Sequence, residues 1–167
     1  METVILNSPI GLLEVTGDEN GLHSVIFIDA SEEIAAENFS EIPSELKEAI
    51  LQLTEYFEGK RKVFSLKLNL KGTDFQKKVW ARLAKIPFGK TVSYQKIAND
   101  LGDPKVIRAA ASANGKNPIS IIIPCHRVIG SDGTLTGYAG GLHRKKWLLE
   151  LESPVTQGNL FQSSVVS

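Results

Sequence analysis

Residues 93–114 read SYQKIANDLGDPKVIRAAASAN, and this stretch decides the architecture of the half of the chain that carries it. Two short helical segments, about Ser93 to Leu101 and Pro104 to Asn114, flank Gly102-Asp103. Glycine at position 102 can take the left-handed conformation that ends a helix. Pro104 suits the first turn of the next helix, where its missing N–H is not needed. Two helices joined by a glycine-containing turn form a helix-turn-helix, a unit shared by DNA-binding proteins and ordinary helical hairpins. The second helix carries one large cation, Arg108, among alanines and Ser112. Small side chains serve either tight packing against a neighbour or close approach to a duplex, with Arg108 then reaching between bases.

Toward the N-terminus the character changes at Gly72. Thr73-Asp74-Phe75-Gln76 is a capping box, and Phe75, Val79, Leu83 and Ile86 recur at helical spacing until Pro87-Phe88-Gly89. Before Gly72 the chain reads as strands first and a helix later. Val4 to Leu6 and Leu12 to Val15 flank a turn, and a second turn leads to His23 to Ile28. A helix from about Pro43 to Glu58 places Leu46, Ile50, Leu53 and Phe57 on one face. Phe64 to Leu70 alternates apolar and polar residues, the pattern of a strand closing the sheet. No chemical constellation is evident in this half, which reads as scaffold.

Charge divides the chain at the same place. The net charge is zero, yet residues 1–71 carry 6 Lys+Arg against 13 Asp+Glu, and residues 72–152 carry 13 against 6. Such asymmetry fits a basic half that meets a polyanion, or two halves that attract each other. No apolar run approaches the ~20 residues of a membrane span. The first residues lack the basic start and apolar stretch of a secretory signal. A single cysteine permits no internal disulfide and no cysteine-based zinc cluster. A cytoplasmic protein with a reduced thiol is the simplest expectation. The uncharged tail, residues 153–167, reads as disordered.

That cysteine, Cys125, follows Ile119 to Ile123, which reads as a short buried strand ended by Pro124. A lone cysteine is by default a small buried hydrophobe. Here His126 and Arg127 follow it, and their positive potential is expected to depress the thiol pKa. Cysteine, histidine and a carboxylate together allow an activated nucleophile. Adjacent residues of an extended chain face opposite ways, so Cys125 and His126 need not touch, and a water could bridge them. Glu152 is a distant candidate to orient the histidine. Downstream, Gly130 to Gly133 is a turn. Gly137-Tyr138-Ala139-Gly140-Gly141 is a glycine-rich loop suited to presenting backbone groups, or an ordinary connector. The last helix runs from about Leu142 to Glu152, with Lys145 and Lys146 on what reads as a solvated face.

Pro124-Cys125-His126-Arg127-Val128 resembles the active-site signature of the O6-alkylguanine-DNA alkyltransferases. The likeness extends through Val92-Ser93-Tyr94-Gln95, Arg108, Asn117-Pro118, the 137–141 loop, Lys145-Lys146-Trp147-Leu148-Leu149 and Glu152. It is specific over residues 72–152 and loose before them. The resemblance implies an α/β chain of two domains: residues 1–71 a ribonuclease-H-like scaffold, residues 72–152 a mostly helical alkyltransferase domain with a winged helix-turn-helix.

It further implies irreversible transfer of an alkyl group from O6-alkylguanine in DNA, with O4-alkylthymine as a further lesion, to Cys125. Glu152 would hold His126, which takes the thiol proton through a water. Tyr94 would protonate the leaving guanine, Asn117 would fix the turn around the cysteine, and Arg108 would fill the gap left by a base flipped through the minor groove. Tyr138, Ala139 and Gly140 would line the base pocket, with Gln95, Ser131 and Lys145 also contacting DNA. The implied protein is a monomer that acts once on double-stranded DNA and needs no metal or other cofactor. Some members carry serine where this chain has Ala139, so a hydroxyl contact to the base is absent here. The rival readings are a lesion-sensing binder without transfer activity, a helix-turn-helix regulator and a cysteine hydrolase, which would turn over repeatedly.

Overall fold

The structure is a computed structural model and describes residues 1–29 and 41–153. The tail expected to be disordered lies outside the described residues, apart from Ser153. Strands β1 (Glu2–Ser8), β2 (Gly11–Asp18) and β3 (Gly21–Ile28) form an antiparallel meander in that order. Their alternation sets the buried face: Val4 pairs with Val15, and Val15 with Val25, so one cross-strand row points inward. Helix α1 (Ser44–Phe57) covers that face with Leu46, Ile50 and Leu53. Each such side chain contributes roughly 1.5–3 kcal/mol by leaving water.

Helix α2 (Asp74–Leu83) starts at the anticipated capping box. The Thr73 hydroxyl accepts from Gln76 N, and the Gln76 side chain accepts from Thr73 N. Trp80 on α2 donates through Nε1 to the Ala113 carbonyl, tying α2 to the second helix of the helix-turn-helix. That unit comprises α3 (Tyr94–Asp100), a single 3₁₀ turn at Pro104–Val106, and α4 (Ile107–Gly115). Gly102 has φ of 96°, as a left-handed cap requires, and Asp103 accepts from Lys105 N. Strand β4 (Val92–Ser93) pairs in parallel with β5 (Val128–Ile129). This two-residue ladder sets the start of α3 beside the end of the Cys-His-Arg segment. Helix α5 spans Leu142–Glu152, as its spacing anticipates.

Two expected strands are absent. Phe64 to Leu70 reduces to one bridge, Leu68 with Leu22, because the Gln52 side chain binds both backbone groups of Ser65. Ile119 to Ile123 is buried but not extended. Ile119 bridges Val25, and the chain then turns, with Ile122 N donating to Ser120 O and Ile123 N to Ile119 O. Ile121 sits at φ of 74°, a conformation a β-branched residue keeps only when its surroundings enforce it.

These two segments cover the open edge of β3. Leu22 bonds to Lys67 and Asn69, while Val25 N donates to Pro118 O and accepts, through its carbonyl, from Ser120 N. The apolar core is accordingly continuous between the halves.

Candidate active site

Cys125 opens a 3₁₀ turn, Cys125–Arg127, and is 4% exposed. The turn is held from behind by Asn117, whose Nδ2 donates to Ile123 O at 2.7 Å and whose Oδ1 accepts from Ile119 N at 2.9 Å. This clamp fixes the residues on which the thiol stands. Burial pushes the thiol pKa up, against the smaller lowering effects of the Asn117 side chain and the Lys145 charge. The expected depression by His126 and Arg127 is therefore corrected: both side chains are engaged elsewhere, and the resting group is a thiol.

Both side chains are engaged with Glu152, at the end of α5. His126 Nε2 lies 2.7 Å from Oε2, and Arg127 donates through Nε to Oε1 at 2.7 Å and through Nη2 to Oε2 at 3.0 Å. Arg127 also donates to Ile86 O at 2.6 Å. Burial would raise the Glu152 pKa, but the hydrogen bonds of His126 and Arg127, the Arg127 charge and the charge that His126 acquires in acid carry it down to about 2. An ionised carboxylate only accepts, so the Nε2 proton belongs to the imidazole. Burial lowers the His126 pKa more than Glu152 raises it, and the ring is neutral at rest. Its Nδ1 then carries the lone pair, is buried, and has no partner among the described residues. The cluster is a thiol followed in the chain by an oriented neutral base with a free acceptor atom.

A cavity of about 560 Å³ opens nearby, lined by Tyr94, Arg108, Asn114, Thr136, Gly137 and Tyr138 among others. That size is ordinary for a small-molecule site. Charge on Cys125 would raise the phenols of both Tyr94 and Tyr138, so the thiol lies within electrostatic range of these two walls. Tyr94 donates to Thr136 O at 2.9 Å, and burial raises its pKa, so it keeps its proton. Arg108 is exposed at the rim. Helix α4 uses its small residues both ways: Ala110 and Ala113 are buried, whereas Ala109 and Ser112 share Arg108's open side.

The glycine-rich loop forms one wall and is anchored by two cations of α5. Arg144 donates to Gly140 O and to Ile10 O in the β1–β2 turn. Lys145 donates to Val128 O, Thr136 O and Gly137 O. Lys145 is fully buried, which corrects both its reading as part of a solvated face and its assignment to DNA contact. Lys146 is exposed. At Gly140 an added Cβ would lie 2.8 Å from the Phe27 and Tyr138 rings, so the loop's path there excludes a side chain. Ala139 is exposed beside the cavity's Tyr138 wall.

Two other expected residues lie off the cavity lining. Gln95 donates to Asn99 Oδ1 and Pro104 O, bracing the helix-turn-helix, and Ser131 is exposed on its turn. Sequence reasoning missed Tyr56, whose hydroxyl donates to Glu152 Oε2 at 2.5 Å. A tyrosine next to the apolar stripe of α1 was the available signal, since a buried phenol needs a partner.

Residues 74–154 match the family model described as the DNA-binding domain of 6-O-methylguanine DNA methyltransferase, and residues 2–70 match that family's ribonuclease-like domain. The chain belongs to this methyltransferase family. The methylated-DNA–protein-cysteine methyltransferase of Methanosarcina barkeri is 49% identical, over 89% of this chain and 94% of that protein. The protein of the same name from Mycobacterium tuberculosis is 46% identical, over 88% and 89%. Among solved structures, the M. tuberculosis O6-methylguanine methyltransferase superposes with a TM-score of 0.78 at 44% identity, covering 90% of this chain and 92% of that one. M. tuberculosis OGT in complex with DNA gives 0.79 at 42%, covering 92% and 96%. As a member of the family the chain is an enzyme. Its α/β fold has a ribonuclease-like N-terminal sheet domain and a helical DNA-binding domain. Among the described residues, no helix is long and apolar enough to cross a membrane.

Proposed function

We propose that this protein repairs DNA by moving the alkyl group of O6-alkylguanine onto Sγ of Cys125, once per molecule. The observation that carries the reading is the buried His126–Glu152 pair, with a free Nδ1 on the residue that follows the chain's only cysteine. Through a bridging water, Nδ1 takes the thiol proton, and the resulting imidazolium is stabilised by Glu152. The thiolate attacks the alkyl carbon in line. An S–C bond forms, the C–O6 bond breaks, and its electron pair leaves with the guanine. Tyr94 donates its proton to N3 of that base, so that a neutral guanine departs. The thioether is not reversed by any ordinary step.

The alkyl carbon of a stacked base is out of reach, so the nucleotide turns out of the duplex into the cavity. Helix α4 approaches the minor groove along its small-residue side, with Arg108 occupying the space the base leaves. The backbone of residues 138–140 faces the base. Gln95 and Ser131 contact the DNA backbone, which positions the duplex without reading its sequence. The basic half, residues 72–152, supplies the electrostatic attraction, and the boundary between the two domains falls at 71/72. The same alkyl–oxygen bond makes O4-alkylthymine a second substrate. One protein monomer, in the cytoplasm, suffices.

The test is to incubate the protein with duplex DNA containing O6-methylguanine and to weigh it. A gain of one methyl group that is lost in Cys125→Ser is expected. No gain, or a gain that persists in the variant, overturns the reading.

A further inference from the structure

Among the described residues, the N-terminal half sends one polar atom, the Tyr56 hydroxyl, to the Glu152 carboxylate. Tyr56 on α1 is fully buried, and its ring packs against Phe57, Phe64 and Phe88. A phenylalanine would fill the same aromatic cage without a buried hydroxyl to satisfy. The hydroxyl instead reaches Glu152 Oε2 at 2.5 Å, across 96 residues of chain. That oxygen is the one that also accepts from His126, while Arg127 already supplies two hydrogen bonds to the carboxylate. The Glu152 charge is thus neutralised without Tyr56, and the phenol's distinctive effect is to share an oxygen with the histidine.

We infer that Tyr56 is a positioning residue of the transfer reaction, whose hydroxyl fixes Glu152 Oε2 and limits how tightly that carboxylate holds a proton on His126. The role rests on the reading of His126 as the base for Cys125. A carboxylate oxygen shared among Arg127, Tyr56 and His126 pulls less on each proton than one shared by two. His126 is thereby kept neutral at rest, yet it still has an oriented anion beside it once it is charged. Tyr56 remains a donor throughout, because burial and the Glu152 charge push its phenol well above the ordinary range. Among the described residues, the other titratable or charged groups that act on the pair are Arg127 on the same turn, Lys145 on α5 and Tyr138 on the glycine-rich loop. Among the described hydrogen bonds to Glu152 side-chain oxygens, only that from Tyr56 comes from the N-terminal half.

Single-turnover benzylation by free O6-benzylguanine, followed across pH, isolates the relay from DNA binding. Tyr56→Phe keeps the ring and removes one oxygen. Its acid limb, where His126 protonates, is expected to move up by at least about half a pH unit, because Glu152 then holds the imidazolium more strongly. A fluorinated tyrosine at position 56, a stronger donor of similar shape, moves the limb down and provides the measurement should the phenylalanine variant not fold. Limbs coincident with the parent's, even with a lowered melting temperature, mean that Tyr56 is only structural, and the inference is overturned. A parent protein that gains no benzyl group on Cys125 instead overturns the reading of the site, and the Tyr56 role with it.

Discussion

Oε2 of Glu152 sits 2.7 Å from Nε2 of His126 while Arg127 grips the same carboxylate through two nitrogens. One anion thus orients a base and neutralises a buried cation. Glu152→Gln disrupts both tasks. An amide can donate to Nε2, which drives the imidazole proton to Nδ1 and blocks the acceptor atom. Transfer from free O6-benzylguanine is expected to fall by about 100-fold or more. Arg127 loses its charged partner, so urea unfolding should show a loss of roughly 3–5 kcal/mol.

Acid should weaken the fold in two stages. The Glu152 carboxyl is held at about 2 against an ordinary 4.5, so its stabilising contribution is complete above 4.5 and is lost as pH falls toward 2. His126 adds an earlier stage. Burial lowers its pKa from 6.5, so below that value the unfolded chain binds a proton more readily than the native one. Urea midpoints measured from neutral to strongly acid pH should decline through both windows. A midpoint that rises on acidification would contradict the assigned charge states.

Arg108→Ala separates recognition from chemistry. The side chain is exposed, so stability should change by no more than about 0.5 kcal/mol. Transfer from the free base should match the parent, whereas repair of a duplex lesion slows by about tenfold or more, a fraction of the few kcal/mol that unstacking a base requires. Equal duplex rates would remove Arg108 from the flipping step.

Lys145→Met probes an anchor rather than a phosphate contact. Three carbonyls, of Val128, Thr136 and Gly137, lose their shared donor, and the loss of stability should reach about 3 kcal/mol. The salt dependence of DNA binding should keep its slope. A slope reduced by about one unit would instead make Lys145 a phosphate ligand.

A smaller prediction concerns the capping box. Thr73→Ala removes the acceptor for Gln76 N at an exposed helix start, and chemical denaturation should register a loss of about 1 kcal/mol with no change in transfer rate.

Local signals were the legible ones. The Thr73 capping box, the Gly102 turn with Pro104 after it, and the bounds of α5 depend on residues within a few positions of each other, and each stands where its pattern places it. Motif order also brought out Cys125, His126, Asn117 and Glu152, which the structure gathers into one cluster with its supporting turn. Long-range competition was not legible. Ile119 to Ile123 has strand composition, yet only Ile119 finds a strand to bridge, and the Asn117 clamp closes the remainder into a turn. Lys145 carries no sequence mark distinguishing it from Lys146, since three carbonyls supplied by β5 and the following loop decide its burial. Tyr56 and Glu152 meet only because α1 and α5 pack on one core.

The hydrogen bonds between Val25 and residues 118–120 have a consequence for how such a protein can be dismantled. The loop that carries the nucleophile completes the edge of a sheet made by the first thirty residues, so the reactive segment is not a cartridge that can be swapped out. A fragment beginning near residue 72 would carry the thiol and the helix-turn-helix, but would leave Pro118 O and Ser120 N without their strand. On the proposed single-event chemistry, a spent molecule is therefore retired whole, scaffold included, and replacing it requires synthesis of the entire chain.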